Sequence, residues 1–151
     1  MHLRPARPED WPRAWAIQSA AFADLVERAW GGWTAEMEAE CAADWVADQV
    51  RMIVVDGDVV GWVQVVRHAD HDWLELVNLH PDAQGQGLGT RVMRLLMDEA
   101  TARGVPLWLS VYRINAARRL YARLGFKTYP RDEIRVRMVF PADAPADLAT
   151  A

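Results

Sequence analysis

The residues best suited to chemistry lie in one short run, Gln84-Gly85-Gln86-Gly87-Leu88-Gly89-Thr90. A β-rich stretch leads into it and an amphipathic helical pattern leads out. Glycines let a ligand approach the backbone closely, and the free N–H groups of a helix start point at whatever binds. That combination suits an anion, phosphate best of all. Two common phosphate loops are excluded by spelling. Gly89 is followed directly by Thr90, without the lysine of a Walker A loop. The spacing Gly85-x-Gly87-x-Gly89 is not that of a dinucleotide fingerprint, and the preceding strand is not the first of a βαβ unit. A glycine-rich helix entry with no ligand remains the alternative reading of these residues.

The elements around the run follow from periodicity and punctuation. Leu3 to Arg7 reads as a first strand, and Pro8 opens a helix that carries Trp11, Trp15 and Phe22 to about Ala23. Gly31-Gly32 breaks the chain, and Thr34 caps a second helix predicted to reach about Gln49, with Met37, Cys41, Trp45 and Val46 apolar. Residues 51–55 and 59–67 are strands joined by Asp56-Gly57-Asp58, which has hairpin chemistry. Trp73 to His80 is a further strand, then Leu88 to Arg103 a helix stopped by Gly104 and Pro106. A strand over 107–112, a helix over 116–124 ended by Gly125, and strands over 126–129 and 134–140 complete the order. This is an α+β (mixed α/β) domain over residues 1–140. Residues 141–151, rich in Ala, Pro and Asp, are expected to form a disordered C-terminal tail. In Leu74, Leu76, Val77 and Leu79 the apolar parity shifts once, which fits either a β-bulge or a strand buried on both faces.

Bulk properties narrow the class. A chain of 151 residues, 52% apolar and 25% charged, is one soluble domain. No run of about 18 apolar residues spans a membrane, and the first residues lack a signal-peptide core, so a cytoplasmic protein is expected. A lone Cys41 gives neither a disulfide framework nor a cysteine-based metal site. A net charge of −4 argues against nucleic acid as a partner. The charge is divided unevenly. Residues 1–90 carry 6 arginines against 15 acids, whereas residues 91–137 carry 11 basic residues against 4 acids. One cationic and one anionic partner would account for this, and so would two solvated faces.

The glycine run resembles motif A of the GNAT N-acetyltransferases, Gln/Arg-x-x-Gly-x-Gly/Ala. The downstream stretch Asn115-Ala-Ala-Arg-Arg-Leu-Tyr121-Ala-Arg-Leu-Gly125-Phe126 resembles their motif B, with an Asn-to-Tyr spacing of six, one short of the commonest form. The similarity extends over roughly residues 1–140 and implies the GNAT fold, a mixed sheet of about seven strands with about four helices. It further implies acetyl-CoA as co-substrate and no metal. Its pyrophosphate would be held by Gln84, Gly85, Gln86, Gly87, Leu88, Gly89 and Thr90, and its pantetheine arm by backbone of Val77, Asn78 and Leu79, with Asn115 nearby. Tyr121 would protonate the departing thiolate, and the N–H near Leu79 would face the oxyanion.

The implied reaction is transfer of an acetyl group to a primary amine by direct attack in a ternary complex. The amine must lose a proton, and Glu75 is the candidate base, with His80 and Asp72 as weaker ones and a water chain as the alternative. Trp30 and Trp33, around Gly31-Gly32 and beside acids, are candidates for the acceptor site, with packing on the core as the alternative for both. The expected partners are thus acetyl-CoA and a small-molecule or peptide amine, without nucleic acid or membrane, and with a homodimer left open. A non-catalytic acyl-CoA-binding module on the same fold and a different nucleotide-binding protein are the competing readings.

Overall fold

The computed structural model describes residues 1–149. Seven strands form one sheet: β1 (His2–Pro5), β2 (Val50–Val55), β3 (Asp58–Arg67), β4 (Asp72–Leu79), β5 (Leu107–Tyr112), β6 (Lys127–Pro130) and β7 (Arg135–Phe140), in the order β1-β2-β3-β4-β5-β7-β6. The helices are α1 (Trp11–Ala21), α2 (Ala23–Trp30), α3 (Ala35–Asp44), α4 (Leu88–Arg103) and α5 (Ala117–Arg123). Contacts divide the chain into two compact units, residues 1–65 with 76–89 and residues 66–75 with 90 onward, so that β4 contributes to both.

In the first unit β1 and β3 each pair antiparallel with β2. The β2–β3 turn has two residues, Asp56 at φ 52° and Gly57 at φ 84°, the positive pair that a type I′ hairpin demands and that Asp-Gly supplies. On one side of these strands Met52 and Trp62 pack against Ala14 and Ile17 of α1, with Trp11, Trp45 and Leu76 at the margin. The buried Trp62 indole donates to the carbonyl of Ala14 at 3.0 Å, which fixes α1 on the sheet. On the other side Leu79 lies near Ile53. Leu76 on the first side and Leu79 on the second are both half-buried, so the end of β4 presents apolar residues to both faces.

The helical count exceeds the expectation by one. The chain bends at Phe22 (φ −102°, ψ 9°) and α2 follows to Trp30, where Gly31 at φ 81° caps it. No Gly or Pro marks that bend, which is why the sequence shows one helix there. Thr34 caps α3 as expected, its hydroxyl accepting from the Met37 N–H at 3.1 Å. This helix stops at Asp44, five residues early: Trp45 is extended and Val46 is exposed.

In the second unit β4 pairs parallel with β5 from Asp72↔Leu107 to Leu74↔Leu109, and β7 pairs antiparallel with β5 and β6. Along α4 the buried residues Val92, Met93, Leu96, Met97 and Ala100 form its apolar stripe. The segment after β7 departs from the expectation of a featureless tail. Ala149 is 8% exposed and packs with Trp108 and Val139, flanked by Trp73, Tyr129, Ala144 and Leu148. Arg137 donates from Nη1 to the Leu148 carbonyl at 2.9 Å and lies over the Trp73 ring. Composition indicated nothing for this segment to bury; the aromatic shelf of Trp73, Trp108 and Tyr129 gives even alanines an apolar surface to cover. Residues 150 and 151 lie outside the described residues.

Candidate active site

The end of β4 and the glycine run lie in the first unit. After Leu79, His80 starts a short 3-10 turn over Pro81–Ala83, and its Nδ1 accepts from the Asp82 N–H at 3.2 Å. Gln84 donates from Nε2 to the Leu79 carbonyl at 3.0 Å, and Gln86 to the Asp82 carbonyl at 3.1 Å. Both glutamines thus brace the loop with their side-chain amides. Gly85 and Gly87 stand at φ 76° and 79°, where a side chain is strained, and no atom lies within 4 Å of the Cβ that either would carry. The backbone is consequently bare at both positions. Gln84 to Gly87 are exposed, and Leu88, Gly89 and Thr90 form the first turn of α4, whose leading N–H groups have no partner within the helix. This is the surface a pyrophosphate requires, provided by backbone rather than by cationic side chains.

Asn78 is 4% exposed, and its Nδ2 donates to the Trp62 carbonyl at 3.2 Å. Trp33, expected in the acceptor site, packs edge-on against Trp15 with centroids 4.9 Å apart and donates to the Ser19 carbonyl at 3.0 Å. Trp30 is different, 52% exposed beside Gly31-Gly32. The Glu27 carboxylate approaches the same turn, 3.1 Å from where a Gly32 side chain would begin. Cys41 is half-buried, and burial pushes its thiol pKa up, which keeps it protonated and unreactive.

Glu75, Asn115 and Tyr121 lie in the second unit. Glu75 is exposed on β4. Asp72, one of the weaker base candidates, is 2% exposed and forms an ion pair with Arg103, whose Nη2 also donates to the His68 carbonyl. That carboxylate is structurally committed and is not a base. Asn115 accepts the Ala117 N–H at 2.9 Å, so its side-chain oxygen closes the turn leading into α5, leaving its Nδ2 for other use. Tyr121 is 6% exposed, its ring 5.8 Å from that of Phe126. Burial pushes its hydroxyl pKa up to about 12, so it remains a proton donor throughout the neutral and mildly alkaline range. Among the described residues no cluster of His, Cys, Asp and Glu is suited to a metal ion.

Residues 7–126 match the Acetyltransferase (GNAT) family, and the chain belongs to that family. It is 30% identical over 135 residues to the mycothiol acetyltransferase of Mycobacterium leprae, an alignment covering 77% of this chain and 42% of the relative. The chain therefore spans less than half the length of that curated relative. Among solved structures, the ribosomal-protein-S18-alanine N-acetyltransferase of Escherichia coli is 25% identical with a TM-score of 0.70, covering 97% of both chains. The PaiA N-acetyltransferase of Thermoplasma acidophilum, solved in complex with coenzyme A, superposes with a TM-score of 0.76 at 15% identity, covering 91% of this chain and 96% of the other.

Proposed function

We propose that this chain is an acetyl-CoA-dependent N-acetyltransferase acting on a primary amine. The observation that carries the reading is the bare, positive-φ backbone at Gly85 and Gly87 leading into α4, within a chain of the GNAT family. The named relatives point to the same chemistry, since two of the three are N-acetyltransferases by name and the third acetylates too.

The residues have the following roles. Backbone N–H groups from Gln84 to Thr90 hold the pyrophosphate, and backbone of Val77 to Leu79 holds the pantetheine arm, with Asn115 beside it. A neutral amine nitrogen attacks the thioester carbonyl, and the Leu79 N–H stabilises the oxyanion that forms. Collapse breaks the carbon–sulfur bond. Tyr121 first hydrogen-bonds the sulfur as charge grows there and then supplies the proton. The proton lost by the amine passes to Glu75, directly or through water; the exposure of Glu75 suits a base in contact with solvent. No covalent enzyme intermediate is needed, which agrees with the inert Cys41.

The acceptor is a cationic amine, small molecule or peptide, drawn to the acidic first 90 residues. Trp30, the exposed one of the two tryptophans proposed for acceptor contact, is its aromatic surface, with Glu27 and the exposed Glu36, Glu38 and Glu40 as the acids; Trp33 is engaged with Trp15 and the Ser19 carbonyl. A cytoplasmic setting, where acetyl-CoA is available, accords with this role, and no helix among the described residues is long and apolar enough to cross a membrane.

Gly87→Asp tests the cofactor site. The space at Gly87 is open, so the variant folds at a strain cost of about 1–2 kcal/mol. The new carboxylate then opposes the pyrophosphate. CoA affinity measured by calorimetry should fall at least tenfold, about 1.4 kcal/mol or more. Unchanged affinity in a folded variant would remove the loop from the site.

A further inference from the structure

Gly61 lies in β3, opposite Ile53 of β2, and its φ is in no way unusual for a side chain. Space, not conformation, excludes one. A Cβ at residue 61 would overlap the main-chain oxygen of Asn78 outright, and would lie 2.9 Å from Leu79 Cδ2 and 3.1 Å from Ile53 Cδ1. The two side-chain ends move at little cost; the backbone oxygen moves only if its whole peptide turns. In a flat ladder a carbonyl lies near the sheet plane, directed at its neighbour strand, while side chains stand perpendicular to it. The Asn78 carbonyl must therefore lean out of the plane, toward the face on which a residue-61 side chain would stand.

A peptide unit is planar and trans, so its C=O and N–H point in opposite directions. The carbonyl of Asn78 shares its peptide with the N–H of Leu79. If one leans toward the Leu79–Ile53 face, the other leans toward the opposite face, that of Leu76 and Trp62. The Asn78 side chain secures this rotation, since its buried carboxamide is tied to the Trp62 carbonyl on the neighbouring strand.

We propose that Gly61 is a positioning residue for catalysis: its bare Cα lets the Asn78–Leu79 peptide rotate, and that rotation aims the Leu79 N–H at the oxyanion of acetyl transfer. The inference rests on the acetyltransferase reading given above. It adds a residue on a different strand that touches no reacting atom yet sets the direction of the donor. A methyl group at residue 61 pushes the peptide back toward the sheet plane, so the donor is misdirected while the glycine run that holds the cofactor is untouched.

The experiment compares wild type, Gly61→Ala and Gly57→Ala. Gly57 has φ 84° with open space around it, so its substitution strains the fold without touching β4. Each variant is assayed for thermal stability, for CoA affinity by calorimetry, and for kcat with saturating acetyl-CoA and an amine that the wild type acetylates. Loss of a whole oxyanion donor costs about 10²- to 10³-fold in kcat. Gly61→Ala is expected to lose at least tenfold in kcat with a clearly smaller loss of CoA affinity, since the same peptide borders the pantetheine arm, and Gly57→Ala to lose stability only. Should Gly61→Ala fold poorly, Gly61→Ala with Ile53→Val removes the Ile53 Cδ1 overlap but not that with the Asn78 oxygen. It should stay slow where Ile53→Val alone is not. A wild-type kcat in folded Gly61→Ala, or a loss of kcat matched by an equal loss of CoA affinity, overturns the proposal. A wild type that turns over no amine defeats the acetyltransferase reading itself, a distinct outcome.

Discussion

A tyrosine that is to protonate a leaving thiolate must still hold its proton when the thiolate forms. An ordinary tyrosine meets that condition at neutral pH, and burial of Tyr121, which raises its pKa from 10 to about 12, extends it into the alkaline range. Tyr121→Phe keeps the ring against Phe126 and removes only the donor. Its kcat should fall about 10²- to 10⁴-fold with CoA affinity nearly unchanged. A wild-type rate at saturating substrates would assign the proton to water and leave Tyr121 a packing residue. The same burial makes a stability prediction. The unfolded tyrosine ionises above about pH 10 and the folded one only near 12, so the folded state binds more protons in that window. Stability from this group is complete below pH 10 and is lost as pH rises toward 12, a loss on the order of 3 kcal/mol. Tyr121→Phe should flatten that alkaline decline in a series of thermal melts, and an unaltered decline would show that other groups cause it.

At the level of elements, the start of the fold depends on an ion pair joining β1 to the approach of α1. Arg4 meets Asp10 through two hydrogen bonds, at 2.9 and 3.0 Å, and the Arg7 N–H adds a third at 2.8 Å. These hold the Asp10 carboxylate down to about 2. Its folded pKa is lowered, so the stability it confers is present above about pH 4 and is lost as pH falls toward 2. Asp10→Asn should lower Tm at neutral pH and leave less of the acid decline between pH 4 and 2. An acid decline as steep as in wild type would show the pair contributes nothing. Elements bounded by strong punctuation were legible from sequence. Gly87 and Gly104 delimit α4, found over the residues expected, and Asp56-Gly57 fixes the hairpin. The α1–α2 bend at Phe22 and the premature end of α3 were not, because neither has a Gly or Pro and tertiary packing decides them. The residues proposed for the site differ in how they stand in the sequence. The glycine run and Tyr121 stand in contiguous motifs, whereas the effect of Gly61 on Asn78 joins residues 17 apart across two strands and exists only once β3 and β4 lie together.

For the whole molecule, the informative feature is the division of charge, −9 over residues 1–90 and +7 over residues 91–137. On the reading proposed above, an anionic co-substrate would account for the basic part and a cationic acceptor for the acidic part, and exposed charges steer a charged ligand by an amount that salt reduces. The most direct measurement is acetyl-CoA turnover, followed as CoA release, with a panel of polyamines, aminoglycosides, amino acids and peptide N-termini at saturating acetyl-CoA and two ionic strengths. The predicted result is turnover that depends on the amine, best with a cationic acceptor, whose KM rises with salt. CoA binding without turnover of any amine would contradict the enzyme reading and leave an acyl-CoA-binding module, while a best acceptor that is anionic, or a KM indifferent to salt, would contradict the cationic one.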